Sequence, residues 1–193
     1  MILLIAVAVG VGIYLYASPS SAAPATTPES DTGMGYGSLS SLPDVLQNEQ
    51  GGSWTRLYDD AFSKSGDKWG VPFALLKAHA IRESALDAKA YRLEPSGKAS
   101  YGLMQILWWP GSNRFSSYGY NDDLIRDGSP LYDPYPNTTI AAQLIRDNFN
   151  RFGNLRDTIN AYNTGVAESV RIAPGNYVDD VLKYYSKLVN KTV

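Results

Sequence analysis

The sequence predicts an α+β fold that is predominantly helical, with one small irregular or β segment. Apolar residues recur at helical spacing in five stretches after Trp54. The stretch 87–130 lacks that spacing and is rich in Gly, Ser, Tyr and Asp. A length of 193 residues, 44% of them hydrophobic and 19% charged, is typical of one globular domain with appendages.

Two helices are predicted before the irregular stretch. The first covers 57–68 and ends near Gly70. Pro72 is favourable as the first residue of the second helix, which runs to about Leu86. A small β-hairpin is possible within 87–130.

Three helices are predicted after the irregular stretch. The first begins near Asn137 and ends before Gly153, because glycine commonly follows the last helical residue. A short helix follows from Leu155 to about Gly165, and a final amphipathic helix covers 178–189.

The first 53 residues differ in composition from the rest. Residues 2–17 are uncharged and apolar or small, and as a helix they span roughly 24 Å, close to the thickness of a membrane core. They are either an uncleaved membrane anchor or a signal peptide with a cleavage site at 21–23, and the lack of a preceding Lys or Arg favours the anchor. Residues 18–53 are rich in Ser, Pro, Ala, Thr and Gly, which predicts a disordered tether. The predicted divisions are thus 1–17 anchor or signal, 18–53 linker and 54–193 catalytic domain.

The composition excludes several classes of function. There is no Cys and only one His, His79, so neither a thiol nucleophile nor a metal site is expected. Residues 56–193 carry 17 basic and 15 acidic side chains. This small positive net charge is too weak for nucleic-acid binding but mildly favours an anionic polymer. The chain also holds 14 Tyr and 4 Trp, whose rings suit the half-wet surface of a sugar groove.

Three short strings contain the residues that could carry chemistry. They are Glu83-Ser84, then 100–105 (Ser-Tyr-Gly-Leu-Met-Gln), then 161–165 (Ala-Tyr-Asn-Thr-Gly). Glu83 lies late in an apolar helix, where desolvation raises the pKa of a carboxyl. A carboxyl that keeps its proton near neutral pH is what cleavage of a glycosidic bond requires. His79 lies one turn earlier on the same face and either perturbs the pKa of Glu83 or is simply buried.

Together these strings resemble the catalytic domain of the soluble lytic transglycosylase (SLT) family. The resemblance extends to 131–137 and to Tyr177-Val178-x-x-Val181, and it covers about 54–189. It implies a lysozyme-like fold and cleavage of the β-1,4 bond between N-acetylmuramic acid and N-acetylglucosamine in peptidoglycan glycan strands. It implies no cofactor and no metal.

The resemblance also implies roles for nine residues. Glu83 is the general acid and then the general base, and Tyr162 holds its carboxyl. Gly102 lets the backbone approach the sugar. The predicted substrate-binding residues are Ser84, Ser100, Tyr101, Gly102, Met104, Gln105, Tyr162 and Asn163.

In the family scheme Glu83 acts without a second carboxylate. The substrate's N-acetyl group stabilises the anomeric centre, and the 6-hydroxyl of muramic acid attacks to leave a 1,6-anhydro end. The alternatives are a hydrolase resembling goose-type lysozyme and a non-catalytic wall-binding module. The expected setting is a membrane-anchored enzyme whose catalytic domain faces the periplasm and cell wall, and the alternative is a virion-associated phage protein.

Overall fold

The computed structural model describes residues 56–189. This part of the chain forms six α-helices and one small antiparallel sheet of three strands. The sheet lies between the second and third helices in the sequence, and the longer helices enclose the hydrophobic core.

Helix α2 (Phe73–Ser84) is the centre of the core. Its first eight residues are all buried, and it packs against α1 (Asp59–Trp69) and against α6 (Tyr177–Val189). Ala85 and Leu86 follow with φ of 53° and 65°, in the left-handed region. The chain therefore turns sharply after Ser84, which places Glu83 in the last turn of α2.

The sheet follows directly. Strand β1 (Tyr91–Leu93) is exposed, whereas β2 (Ala99–Tyr101) is buried and pairs with both β1 and β3 (Ile106–Trp108). Tyr101 lies opposite Tyr91 on one side and opposite Ile106 on the other. The tight turn between β2 and β3 contains residues 102–105.

The remaining helices cover the other side of the core. A four-residue helix, α3 (Asp122–Ile125), precedes α4 (Pro134–Phe152), which is followed by α5 (Leu155–Thr164) and by α6. Helix α4 starts three residues before the predicted Asn137. The Asp133 side chain accepts a hydrogen bond from the Tyr135 amide, and proline is well suited to the first helical position, so the cap fixes an earlier start.

The predicted α+β fold, predominantly helical, is confirmed. Where the sequence allowed a small β-hairpin, the structure has a sheet of three strands. The stretch 87–130 also contains α3 and a short 3-10 turn at Ser116–Tyr118. The predicted segments 1–17 and 18–53 lie outside the described residues, so the anchor and the tether stay predictions. Within 56–189, no helix combines the length and the apolar character needed to cross a membrane.

Candidate active site

A cleft of about 500 Å³ opens beside the C-terminal end of α2. Its lining residues come from α2, the sheet, α4, α5 and the loops before α3 and α6. Five of the nine predicted site residues line it, namely Glu83, Ser100, Gln105, Tyr162 and Asn163. The other four are not among its lining residues: Ser84, Tyr101, Gly102 and Met104.

Glu83 is a half-buried carboxyl at the wall of this cleft. The buried Tyr177 hydroxyl donates a hydrogen bond to Glu83 Oε1 at 2.5 Å. Desolvation raises the pKa of Glu83 from 4.5 to about 7, because it outweighs the Tyr177 hydrogen bond and the charges of Arg82 and Arg92, which favour the ionised form. The carboxyl therefore retains a proton that it can donate near neutral pH.

Tyr177, which is not among the predicted site residues, donates a hydrogen bond to Glu83. The Tyr162 hydroxyl donates to the Met104 carbonyl oxygen at 2.8 Å, so it holds the turn after β2. A role of Tyr162 in holding the carboxyl stays a prediction. The sequence marks Tyr177 only as the first residue of the last matching helix, and its contact with Glu83 joins positions 94 residues apart.

Ser84 faces the protein rather than the cleft. Its hydroxyl donates to the Leu103 carbonyl oxygen at 2.8 Å, and the Ala80 carbonyl oxygen lies 3.2 Å away. This contact holds the end of α2 against the β2–β3 turn, so Ser84 orients the cleft wall from behind.

Gly102 is required by the protein's own packing. Its φ is +70°, and a Cβ built there would lie 2.3 Å from the Leu131 carbonyl oxygen and 2.7 Å from Asn137 Nδ2. Asn137 is fully buried, accepts from the Met104 amide at 2.7 Å and donates to the carbonyl oxygens of Tyr101 and Leu131, each at 2.8 Å. Packing against Leu131 and Asn137 is thus sufficient to require glycine at this position, and the close approach of the Gly102 backbone to a sugar stays a prediction.

Met104 and Tyr101 belong to the core. The Met104 side chain is completely buried, so it does not line the groove as predicted, and its backbone carbonyl is the group that accepts from Tyr162. The Tyr101 ring packs edge-on against Tyr91 and Trp108. Both residues shape the wall by packing, while direct substrate contact by either stays a prediction.

Gln105 and Ser100 present polar groups to the cleft. Gln105 adopts a φ of 47°, and its Nε2 donates to the Gly102 carbonyl oxygen at 3.1 Å. The Ser100 hydroxyl lies 3.4 Å from Glu94 Oε1. Asn163, in the last turn of α5, completes the polar lining from the opposite wall.

A second carboxylate, Glu94, lines the same cleft and was not predicted. Arg92 donates to Glu94 Oε1 through Nε at 2.7 Å, and its Nη2 lies 2.6 Å from the same oxygen. Glu94 lies in the irregular stretch outside the three strings, so only the folded sheet reveals that it shares a cleft with Glu83. Four cations also line the cleft: Arg92, Lys98, Arg114 and Arg171.

Comparisons with known proteins identify the family of this chain. A family model described as the transglycosylase SLT domain matches residues 60–175. The protein IpgF of Shigella flexneri and that of Shigella sonnei are each 26% identical to this chain over 129 residues, which cover 67% of this chain and 81% of each relative.

Two solved structures share the fold. One is an inactive mutant of the lytic transglycosylase Slt from Pseudomonas aeruginosa, with a TM-score of 0.53 and 21% identity over 68% of this chain and 24% of that one. The other is the 70 kDa soluble lytic transglycosylase of Escherichia coli, with a TM-score of 0.52 and 27% identity over 67% of this chain and 23% of that one. The matched region spans about a quarter of either structure's length, and it confirms the predicted lysozyme-like fold.

Proposed function

This chain belongs to the transglycosylase SLT domain family, and from that membership we propose that it cleaves the β-1,4 bond between N-acetylmuramic acid and N-acetylglucosamine in peptidoglycan. The prediction of an SLT-type lytic transglycosylase is confirmed at the level of family and enzyme class. The bond that is cut, the 1,6-anhydro product and the use of a single acid are the parts that we propose.

The observation that carries the proposal is the environment of the Glu83 carboxyl, which favours its protonated form. A carboxyl with a pKa of about 7, half-buried at the wall of a cleft and fixed through one oxygen by Tyr177, is suited to donate a proton to a leaving oxygen. The cationic side chains of the cleft are compatible with peptidoglycan, whose stem peptides carry carboxylates.

The proposed reaction uses Glu83 twice. Glu83 first donates its proton to the glycosidic oxygen, and the bond from that oxygen to the muramic acid C1 breaks while the N-acetyl oxygen bonds to C1. The ionised Glu83 then removes the proton from the 6-hydroxyl, and the 6-oxygen bonds to C1 as the N-acetyl oxygen leaves. No water is consumed, and Glu83 ends with the proton it began with.

Hydrolysis is the second candidate, and the presence of Glu94 in the cleft favours it. Two carboxyl groups flanking the bond are the arrangement that most glycoside hydrolases use. Arg92 holds Glu94 Oε1 in an ion pair, so a role as base would fall to the other carboxylate oxygen of Glu94.

The two reactions leave different ends on the glycan. We expect mass spectrometry of digested peptidoglycan to show muropeptides with 1,6-anhydro ends, each lighter by one water than a hydrolytic product. Digestion in ¹⁸O-labelled water provides a control, since only hydrolysis incorporates the label. If every new end carried the label, the transglycosylase reaction would be ruled out.

Activity should depend on pH through Glu83. The protonated carboxyl begins the reaction, and its pKa is about 7, so kcat/KM should fall as the pH rises through 7. A series of initial rates on purified peptidoglycan between pH 5 and pH 9 would measure this limb. A midpoint close to 4.5, the ordinary value for a glutamate, would contradict the assignment.

We also propose that residues 2–17 anchor the enzyme in a membrane while the tether 18–53 lets the catalytic domain reach the wall. The support is the uncharged run of 16 apolar or small residues, whose length as a helix approaches the thickness of a membrane core. N-terminal sequencing of the mature protein from membrane and virion fractions would distinguish the anchor from a cleaved signal and from a virion-associated setting. A mature chain that starts near residue 24 would disprove the anchor.

A further inference from the structure

His79 is a buried titratable residue to which the proposed reaction gives no task. It lies on α2 one turn before Glu83, and none of its surface is exposed. Its Nδ1 is 3.0 Å from the Tyr177 hydroxyl oxygen, and that hydroxyl in turn lies 2.5 Å from Glu83 Oε1. His79, Tyr177 and Glu83 therefore form one continuous hydrogen-bonded chain that ends at the reacting carboxyl.

The direction of this chain follows from counting protons. Tyr177 has one hydroxyl proton and donates it to Glu83, so its oxygen must accept from His79 Nδ1–H. Within residues 56–189, His79 Nε2 has no hydrogen-bond partner. A buried ring nitrogen with an unpaired lone pair is less costly than one with an unpaired N–H, which indicates the same Nδ1–H tautomer. Burial also lowers the pKa of His79 to about 3, so the ring is neutral.

We propose that His79 is a positioning residue, which through Tyr177 keeps the Glu83 proton on Oε2, the oxygen that must deliver it to the substrate. This inference rests on the proposed role of Glu83 as the acid. Since Oε1 accepts from Tyr177, a proton on Oε1 would have to displace that hydrogen bond. His79 prevents the displacement, because the Tyr177 oxygen is already occupied as an acceptor and its hydroxyl cannot turn away from Glu83.

Other groups around Glu83 bear on its titration. Arg82, on the same helix, faces the Tyr177 ring at 5.4 Å and pairs with Asp180 of α6 at 3.1 Å. The charge of Arg92 on β1 also favours the ionised form of Glu83 and so lowers its pKa. Tyr162 of α5 packs against His79 with ring centres 4.8 Å apart, and Glu94, Lys98 and Arg171 line the same cleft as Glu83. Lys77, the other ionisable group buried on α2, pairs with Asp59 of α1 instead.

The test compares two replacements of His79 in the full chain. His79→Leu fills similar space without a donor, while His79→Asn keeps an N–H close to the position of Nδ1. We expect His79→Leu to lower kcat about fivefold with KM unchanged, the size expected for one hydrogen bond. His79→Asn should recover most of that loss. The pKa of Glu83, measured from the ¹³C shift of its carboxyl during a pH titration, should rise in His79→Leu, because the Tyr177 hydroxyl is then no longer held as a donor to the ionised carboxylate.

A Tyr177→Phe background separates positioning from packing. In that background the hydrogen-bonded chain from His79 to Glu83 is already broken, so His79→Leu and His79→Asn should have the same kcat and the same Glu83 pKa. Equal losses from His79→Leu in both backgrounds, or an unmoved Glu83 pKa, would overturn the inference. The carboxyl titration needs no turnover, so it decides this question even if the wild type released no anhydro ends, which would refute the proposed function separately.

Discussion

Replacing Glu83 by glutamine is expected to lower the rate of peptidoglycan cleavage by about 10³-fold, within the range attributed to general acid–base catalysis. Glutamine has nearly the same shape and its amide oxygen can still accept the hydrogen bond from Tyr177, but it has no acidic proton to give and no carboxylate to receive one. The loss should appear in kcat below pH 7, where the wild-type carboxyl is protonated, as measured by release of anhydro-ended muropeptides.

The same replacement should stabilise the fold above neutral pH. The pKa of Glu83 is raised in the folded chain, from 4.5 to about 7, so the folded state binds its proton more tightly than the unfolded state does. That contribution is fully present below pH 4.5 and is lost as the pH rises through 7. The melting temperature of Glu83→Gln relative to wild type should therefore increase between these two pH values, which would show that the acid is kept at a cost in stability.

Two carboxylates near Glu83 provide the controls. Asp87 is exposed just beyond the end of α2, where it accepts from the Lys89 amide at 2.8 Å, and Asp87→Asn should leave the activity unchanged. Glu94→Gln removes the other carboxylate of the cleft and should still give anhydro ends.

If Glu83→Gln kept more than about a tenth of the wild-type rate, far above the expectation for a lost general acid, the proton would have to come from elsewhere. If Glu94→Gln lost as much activity as Glu83→Gln, the cleft would work with two carboxylates and the hydrolytic alternative would gain support.

The helices could be predicted because residues at their ends, such as a glycine after the last turn, mark where each helix stops. Gly70, Gly153 and Gly165 all adopt left-handed conformations directly after a helix, as glycine does at this position. The sheet could not be predicted in the same way. Its strands have three residues each, too short to establish an alternating pattern, and β2 is buried throughout.

The place of Glu83 in a cleft could be predicted, but its surroundings could not. Glu83 is identified by an apolar helix and by its place in a string of motifs, which are properties of neighbouring residues. The hydrogen bond from Tyr177 and the shared cleft with Glu94 depend on how α6 and the sheet pack. The spacing of residues along the chain does not predict that packing. The same holds for Gly102, whose neighbours Leu131 and Asn137 are about 30 residues away in sequence.

Gly102→Ala is expected to be the most destabilising of these substitutions. A left-handed conformation costs alanine about 1–2 kcal/mol. The new methyl group would also overlap the Leu131 carbonyl oxygen and the Asn137 amide, both of them fixed in the core, and such overpacking costs typically 1–3 kcal/mol more. A total of about 2–5 kcal/mol corresponds to a melting temperature lower by roughly 6–15 °C for a domain of this size.

Gly97→Ala is the matched control because it separates conformation from space. Gly97 has a φ of +78°, close to the +70° of Gly102, yet a Cβ there would meet nothing within 4 Å. It should therefore lose only the conformational part, about 1–2 kcal/mol. Equal melting temperatures for the two variants would show that the core around Asn137 can give way. If it cannot, Gly102→Ala should also slow cleavage below its melting temperature, because Asn137 holds the Met104 amide and the Met104 carbonyl holds Tyr162 at the cleft wall.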